Sequence, residues 1–287
     1  MSITGRAKLA GVVGWPIAHS LSPKLHGYWL DEYGIDAAYV PLAVRREDFA
    51  AVINGLRLAG FKGVNVTIPH KEAAFALAAS CDAVAEIAGA ANLLLFGENG
   101  IEARNTDVAS FTASVVENIG ADGLRGRPAV LWGAGGMARA AVCALSDLGV
   151  SEIRILNRTK ARAETLAAAL APRTAARLVC AGFEDWSRAG SDAAVLVNAS
   201  SAGMTGVPAL DLPLEVLPAQ ATVFDAVYNP LETALLARAK AGGLCTVDGL
   251  GMLMHQAVPA FAAFFGEAPK ITPSLRRVME EALRGGG

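Results

Sequence analysis

Ala129-Val130-Leu131-Trp132-Gly133-Ala134-Gly135-Gly136-Met137-Ala138 is the stretch on which the reading of the fold turns. Its first four residues are apolar and read as a buried strand. The turn behind them fits G-x-G-x-x-A, and Met137 to Leu148 follows as an alanine-rich helix. Each small residue has a physical task here. Gly133 permits the tight turn, Gly135 lets backbone approach a pyrophosphate, and Ala138 lets helix and strand pack closely. The free N–H groups at the helix start then face the phosphates. A glycine turn without a ligand is the competing reading, and the strand–turn–helix setting favours the dinucleotide one. Gly133, Ala134, Gly135, Gly136, Met137 and Ala138 are therefore the candidate cofactor loop.

The next strand, Ile153 to Leu156, chooses between cofactors. A protein that binds NAD usually ends this strand in Asp or Glu, about 20 residues on, to hold the ribose diol. Here the strand runs into Asn157-Arg158-Thr159-Lys160, with no acid. Two cations and two neutral donors would hold a 2′-phosphate, which a carboxylate would repel. NADP is the expected cofactor. A solvated basic loop is the alternative.

Outward from this centre, strand-like and helix-like segments alternate. Before it come strands at Leu9–Val13, Ala38–Pro41, Gly63–Ile68 and Ile101–Arg104. Between them, helical patterns cover 24–33, with Ser22 as cap and Pro23 at the first position, then Phe49–Ala59 and Lys71–Ala79. A helix over 108–118 would be capped by Thr106 or Asp107. The pattern restarts near Arg125. After the central unit come a helix at Ala161–Leu170, strands at Ala194–Val197 and Val223–Val227, and a helix at Leu231–Ala241. A last helix runs to Leu283, capped at Thr272. Such alternation implies an α/β fold with largely parallel sheets flanked by helices. A chain of 287 residues suggests two domains, with one large domain as the alternative.

Composition excludes several classes. Hydrophobic residues make up 53 %, enough for sizeable cores. With 25 Lys+Arg against 27 Asp+Glu there is no basic footprint for nucleic acid. Leu9–Val13 is too short for a signal-peptide core, and no apolar run approaches a membrane span. A cytoplasmic protein is expected. Cys81, Cys143, Cys180 and Cys245 form no C-x-x-C pair, so buried free thiols are expected rather than disulfides or zinc. His19, His26, His70 and His255 lack metal-ligand spacing, and no metal site is expected.

Three polar motifs stand out. In His19-Ser20-Leu21-Ser22-Pro23, an extended chain would point Ser20 and Ser22 to one side, beside a helix start, where hydroxyls suit a carboxylate. Ser22 acting only as a cap is the plainer reading. Asn65-Val66-Thr67-Ile68-Pro69-His70-Lys71 places a hydroxyl at a strand end and a lysine at a helix start. The lysine works against the helix dipole there, which hints at another task, while an ordinary exposed lysine stays open. Asn105-Thr106-Asp107 lies at the suspected domain junction, where capping is the competing reading. Asn92 and Gln256 are amides in apolar company that ordinary core hydrogen bonds would also explain.

The ordered set of H-S-L-S-P, N-V-T-I-P-H-K, N-T-D, G-A-G-G-M-A-R-A, N-R-T-K, N-A-S-S-A-G-M, D-A-V-Y-N-P and G-L-G-M-L-M-H-Q resembles the shikimate dehydrogenase family. The resemblance runs from about Gly11 to the C-terminal helix. It implies a substrate domain of residues 1–107 completed by the C-terminal helices of 250–287, with a Rossmann-type NADP-binding domain, 108–249, inserted between. It implies reversible NADP-dependent reduction of 3-dehydroshikimate to shikimate, a step of aromatic amino acid (chorismate) biosynthesis. Carried over by position, Ser20, Ser22 and Thr67 would hold the ring carboxylate. Lys71 and Asp107 would flank the reacting hydroxyl as the catalytic pair. Asn92, Asp107 and Gln256 would bind ring hydroxyls. Tyr228 and Gly249 would lie near substrate and nicotinamide, and Ser200 would join the cofactor site. Lys71 would give a proton to the ketone oxygen and steady its developing charge.

Several positions depart from the family's usual pattern: Leu93 after Asn92, Ser110 after N-T-D, Trp132 before the first glycine, Asp248, and the pair Phe264–Phe265. They leave the catalytic positions intact and put substrate range in question. A quinate/shikimate dehydrogenase, or a paralogue with altered substrate, using either NAD or NADP, is the alternative within the family. A non-catalytic NADP-binding sensor is the alternative outside it, and Lys71 with Asp107 argues against that. The resemblance covers both monomers and homodimers.

Overall fold

Parallel strands buried on both faces need near-continuous apolar runs, and the chain supplies them twice. In the computed structural model, which describes residues 3–285, two compact units form. One is Met1–Thr106 with Met254–Gly287, and the other is Asp107–Leu253.

The first unit opens with β1 (Lys8–Gly14), α1 (Ser22–Tyr33), β2 (Ala37–Ala43), α2 (Phe49–Leu58) and β3 (Gly63–Val66). There follow α3 (Lys71–Leu77), β4 (Ser80–Cys81), α4 (Ala83–Ala88), β5 (Leu93–Gly97) and β6 (Gly100–Arg104). The strand order is β2-β1-β3-β5-β6-β4. β1 pairs in parallel with β2 and β3, while β3–β5 and β5–β6 are antiparallel. β4 also pairs in parallel with β6, so the sheet is parallel-rich, as expected, with the β5–β6 hairpin as its antiparallel part. Val13, Ile53, Val64, Val66 and Leu94 pack the core on one side.

The second unit starts with α5 (Asp107–Ile119) and continues through β7 (Pro128–Trp132), α6 (Gly136–Asp147), β8 (Glu152–Leu156), α7 (Lys160–Leu170) and β9 (Arg177–Ala181). Then come α8 (Trp186–Gly190), β10 (Val195–Asn198), β11 (Thr222–Asp225), α9 (Ala234–Ala241) and β12 (Cys245–Val247). The order is β12-β11-β10-β7-β8-β9, and every pair is parallel. Counted along the unit, this is the 3-2-1-4-5-6 arrangement of the dinucleotide-binding fold. The order reverses between β7 and β10, so a crevice opens beyond their carboxyl ends. Alanines at 138, 140, 141 and 144 are fully buried, which lets α6 lie close to its neighbours.

Helix α10 (Gly249–Phe265) begins in the second unit and ends in the first, and α11 (Pro273–Gly285) closes the chain. Thr272 caps α11 as expected, its hydroxyl accepting from the Leu275 N–H at 3.2 Å. In the first unit, Trp29 of α1 meets Phe261 of α10 edge-on at 5.4 Å, and His26 stacks on Tyr39 at 3.8 Å. Both His26 ring nitrogens are buried without a hydrogen-bond partner, and burial lowers the imidazole pKa to about 3. The departing pair Phe264–Phe265 belongs to this aromatic cluster, and the Lys8 ammonium donates to the Phe265 carbonyl at 2.8 Å.

Three local expectations are corrected. Ser22 is not a cap: Leu21 holds the cap position, and no side chain bonds there. Helix α9 starts at Ala234, three residues later than its apolar pattern, because Thr233 caps it by accepting from the Leu236 N–H at 3.3 Å. Only Cys143 is buried; Cys180 is half-buried, and Cys81 and Cys245 are exposed. Burial pushes the Cys143 thiol up to about 11.

Candidate active site

In the first unit, β1 and β3 are parallel neighbours, with Val13 opposite Val66, so both chains leave the sheet at one end. The β1 exit leads to Ser20 and Ser22, and the β3 exit to Thr67 and Lys71. Backbone bonds clamp the exits together: Thr67 N–H to Val13 O at 2.9 Å, and Trp15 N–H to Ile68 O at 2.9 Å. Gly14 permits this approach, since a Cβ there would meet the Thr67 methyl at 2.5 Å.

Ser20 and Ser22 come together, but not by extended alternation. Leu21 between them has helical torsions, and the Ser20 hydroxyl accepts from the Ser22 N–H at 3.3 Å. Lys71 is the first residue of α3. His70 beside it is structural: its ring donates to the Val44 carbonyl at 2.7 Å and stacks on Phe49 at 4.7 Å. Burial holds its pKa below the ordinary value, and the Val44 bond partly opposes that.

Asn92 immediately precedes β5 and is buried. Its Oδ1 accepts from the Thr106 N–H at 2.8 Å, and its Nδ2 donates to the Thr106 hydroxyl at 2.8 Å. That hydroxyl donates in turn to the Gln256 carbonyl at 3.2 Å. On the other side, Asn65 Nδ2 donates to the Asn92 carbonyl at 3.3 Å, and the Tyr39 hydroxyl donates to Asn65 Oδ1 at 2.7 Å. The Asn92 amide is thus joined through Thr106 to the main chain at Gln256. Tyr39, outside every motif, and Thr106, read only as a helix cap, are the links in this chain. A tyrosine and an asparagine inside otherwise apolar strands were the available signal.

In the second unit, Gly133 adopts φ +117°, and a Cβ there would lie 3.1 Å from the Ala199 carbonyl. Both facts demand glycine. Around Gly135 nothing lies within 4 Å of an added Cβ, so that side of the turn is open. Helix α6 has no side-chain cap and no acid in its first turn, leaving its N–H groups to a ligand. Bulky Trp132 is buried, stacking on Phe183 at 4.2 Å and meeting Trp186 edge-on.

At the end of β8, Arg158, Thr159 and Lys160 are exposed, and Asn157 folds the loop by donating to the Thr159 carbonyl at 2.8 Å. Beyond β10, Ser200 donates its hydroxyl to Asn198 Oδ1 at 2.7 Å. Asp107 is buried at the start of α5, where the Ser110 hydroxyl donates to its carbonyl at 2.9 Å. Tyr228 follows β11 and is half-buried. Gly249 is required by a close approach, since a Cβ would lie 2.4 Å from the Ala226 carbonyl. Asp248 bonds the Leu250 N–H at 2.9 Å, so this departure serves the start of α10. Ordinary packing accounts for Leu93, which is buried in β5.

Among the described residues, no group of three or more His, Cys, Asp and Glu could hold a metal, and no helix is long and apolar enough to cross a membrane.

Comparison with known proteins gives two family matches. Residues 12–94 match the shikimate dehydrogenase substrate binding domain, and residues 115–205 match shikimate / quinate 5-dehydrogenase. A shikimate dehydrogenase (NADP(+)) of Paramagnetospirillum magneticum is 48 % identical over 279 residues, covering 96 % of this chain and 98 % of its own. A Thermus thermophilus shikimate 5-dehydrogenase, solved with NADP(H) and shikimate, superposes with TM-score 0.80 at 35 % identity, covering 96 % of this chain and 98 % of the other. A quinate dehydrogenase of Corynebacterium glutamicum, solved with NAD, gives TM-score 0.85 at 29 % identity, covering 96 % and 99 %.

Proposed function

This chain belongs to the shikimate dehydrogenase family, and on that premise we propose that it transfers a hydride reversibly between NADP and shikimate, giving 3-dehydroshikimate. One observation carries the cofactor half of the reading. A glycine at positive φ sits at the switch point of an all-parallel sheet, and the following strand ends in Arg158 and Lys160 instead of an acid. The open side of Gly135 and the uncapped start of α6 fit a pyrophosphate.

On this reading Gly133 to Ala138 cradle the pyrophosphate, and Asn157, Arg158, Thr159 and Lys160 hold the 2′-phosphate. Ser200 and Gly249 lie along the nicotinamide end. The bound cofactor supplies the hydride, and protein side chains supply position and field. Ser20, Ser22 and Thr67 take the ring carboxylate; Asn92, Gln256 and Tyr228 take ring hydroxyls or border the ring. The bonds from Thr106 fix which way the Asn92 amide points before substrate arrives. Lys71 gives a proton to the ketone oxygen during reduction and receives one during oxidation, while Asp107 orients the reacting hydroxyl. Residues 1–107 with 250–287 then form the substrate domain, and 108–249 the NADP domain.

The test pairs shikimate and quinate with NADP and NAD and follows near-ultraviolet absorbance of the reduced nicotinamide. Turnover with shikimate and NADP is expected. Turnover favouring quinate or NAD would move the protein to the alternative within its family, and silence in every pairing would sink the proposal. Arg158→Ala is expected to erode the preference for NADP over NAD; an unchanged ratio would remove Arg158 from the phosphate site.

A further inference from the structure

One buried carboxylate of the second unit has no task in this reaction. Asp225 ends β11 and is fully buried. Three neutral donors converge on it: Asn198 Nδ2 at 2.8 Å, the Val227 N–H at 3.0 Å and the Thr233 hydroxyl at 2.6 Å. The charged side chains of the neighbouring α9 are engaged elsewhere, Arg238 with Asp211 and the Leu212 carbonyl, and Lys240 with Glu232. Burial without a counter-ion is the main reason its pKa is raised to about 6.

The bonds run outward to three segments. Asn198 ends β10, and its Oδ1 holds the Ser200 N–H at 3.1 Å and hydroxyl at 2.7 Å. Its Nδ2 also donates to the Ala202 carbonyl at 3.0 Å, so the 199–202 loop is wound on this one amide. Gly133 lies against the Ala199–Ser200 backbone. Through Val227, Asp225 fixes the chain just ahead of Tyr228, and through Thr233 it secures the start of α9.

The topology says which half of a dinucleotide this serves. The sheet consists of two mononucleotide-binding halves, β7–β9 and β10–β12. The basic loop at 157–160 belongs to the first and takes the adenosine end. Asn198 and Asp225 end strands of the second, which takes the nicotinamide end. Resting on the NADP reading above, we propose that Asp225, acting through Asn198 and Val227, is a positioning residue that sets the two loops of the nicotinamide half, so hydride transfer depends on it while adenosine binding does not.

The test uses the full chain with Asp225→Asn. The amide has the same size and can turn its NH2 to the Thr233 oxygen, as the protonated acid would. Adenosine 2′,5′-bisphosphate probes the adenosine half alone, and steady-state kinetics probe the whole cofactor. Above the Asp225 pKa, the variant is expected to lose roughly tenfold in kcat/KM for NADP, the size of one charge-assisted bond. Its affinity for the bisphosphate should stay unchanged. As pH falls below about 6, the wild type should converge on the variant, which lacks that step. Thr233→Ser should keep the wild-type profile and Thr233→Val should not, which tests the network even if Asp225→Asn folds poorly. Undiminished kcat/KM in Asp225→Asn, or equal losses of kcat/KM and bisphosphate affinity, would overturn the assignment. A wild type that fails to bind the bisphosphate would instead bring down the NADP reading beneath it.

Discussion

Lys71 sits at the first position of α3, where the partial positive charge of the helix start disfavours a cation. A residue placed against its local preference costs the fold a little, so its removal should be tolerated structurally. Lys71→Ala is expected to unfold at the same temperature as the wild type or slightly above it. Its kcat should fall by roughly 10²–10⁴-fold, the usual worth of a positioned proton donor, with KM little changed. Full turnover in this variant would remove Lys71 from the chemistry. His26 is a second residue held against preference, here by burial. Its pKa is about 3 folded and 6.5 ordinarily, so between those values the unfolded chain binds the extra proton. The His26 contribution is therefore complete above pH 6.5 and is lost as pH falls, by about 1.4 kcal/mol per pH unit. Asp225 acts in the opposite sense, since a raised carboxyl pKa gives stability at low pH that is lost as pH rises through about 6. The two partly cancel in the wild type, and comparison with His26→Leu separates them. Chemical denaturation should show the variant gaining on the wild type steadily as pH drops below 6.5. Parallel curves for the two proteins would show that His26 is not buried neutral.

At the scale of elements, the turn between β7 and α6 is over-determined. Gly133 is held both by a φ of +117° and by the Ala199 carbonyl 3.1 Å from an added Cβ. Gly133→Ala should therefore cost about 1–3 kcal/mol, the scale of a strained backbone position, and abolish detectable NADP binding by calorimetry. Normal binding would mean that the turn is not the cofactor cradle. This element was legible in the sequence because everything that defines it lies within ten consecutive residues. The missed strands share a different physics. β9, β12 and β4 lie at sheet edges, where half the surface is wet and no apolar run is needed. The same edge positions leave Cys81 and Cys245 exposed, against the expectation of burial. β5 is apolar but short, a pattern that periodicity alone cannot tell from a buried helix, and the Gly97-Glu98-Asn99-Gly100 turn behind it was the unused hairpin signal. In the site, residues in compact motifs were readable. The Asn198–Asp225 pair and the Tyr39–Asn65–Asn92 chain were not, because each bond closes 26 or more residues of separation that only the fold removes.

At the scale of the whole molecule, each unit has its own sheet and its own share of the candidate site, so the two ligands should leave separate marks. A ligand that binds only the folded state stabilises what it touches, by about 2.7 kcal/mol at a hundredfold excess over Kd. Amide exchange reports that locally, because regions of one structure open with different free energies. In the first unit the amides of Val66, Thr67 and Thr106 are held by Asn92 and Val13, beside the proposed carboxylate and hydroxyl contacts. In the second, the amides of Gly133, Ser200 and Val227 are held by Leu156, Asn198 and Asp225. Shikimate added alone should slow exchange in the first set, and NADP added alone should slow it in the second. Unfolding followed by a single probe would blur this, since a two-unit chain need not unfold in one step. If NADP protected only the first set, or shikimate only the second, the assignment of ligands to units would be reversed, and with it the roles given to Lys71 and Arg158. If neither ligand protected either set, binding would have to occur away from both strand ends, against the placement of every polar group on which the proposal stands.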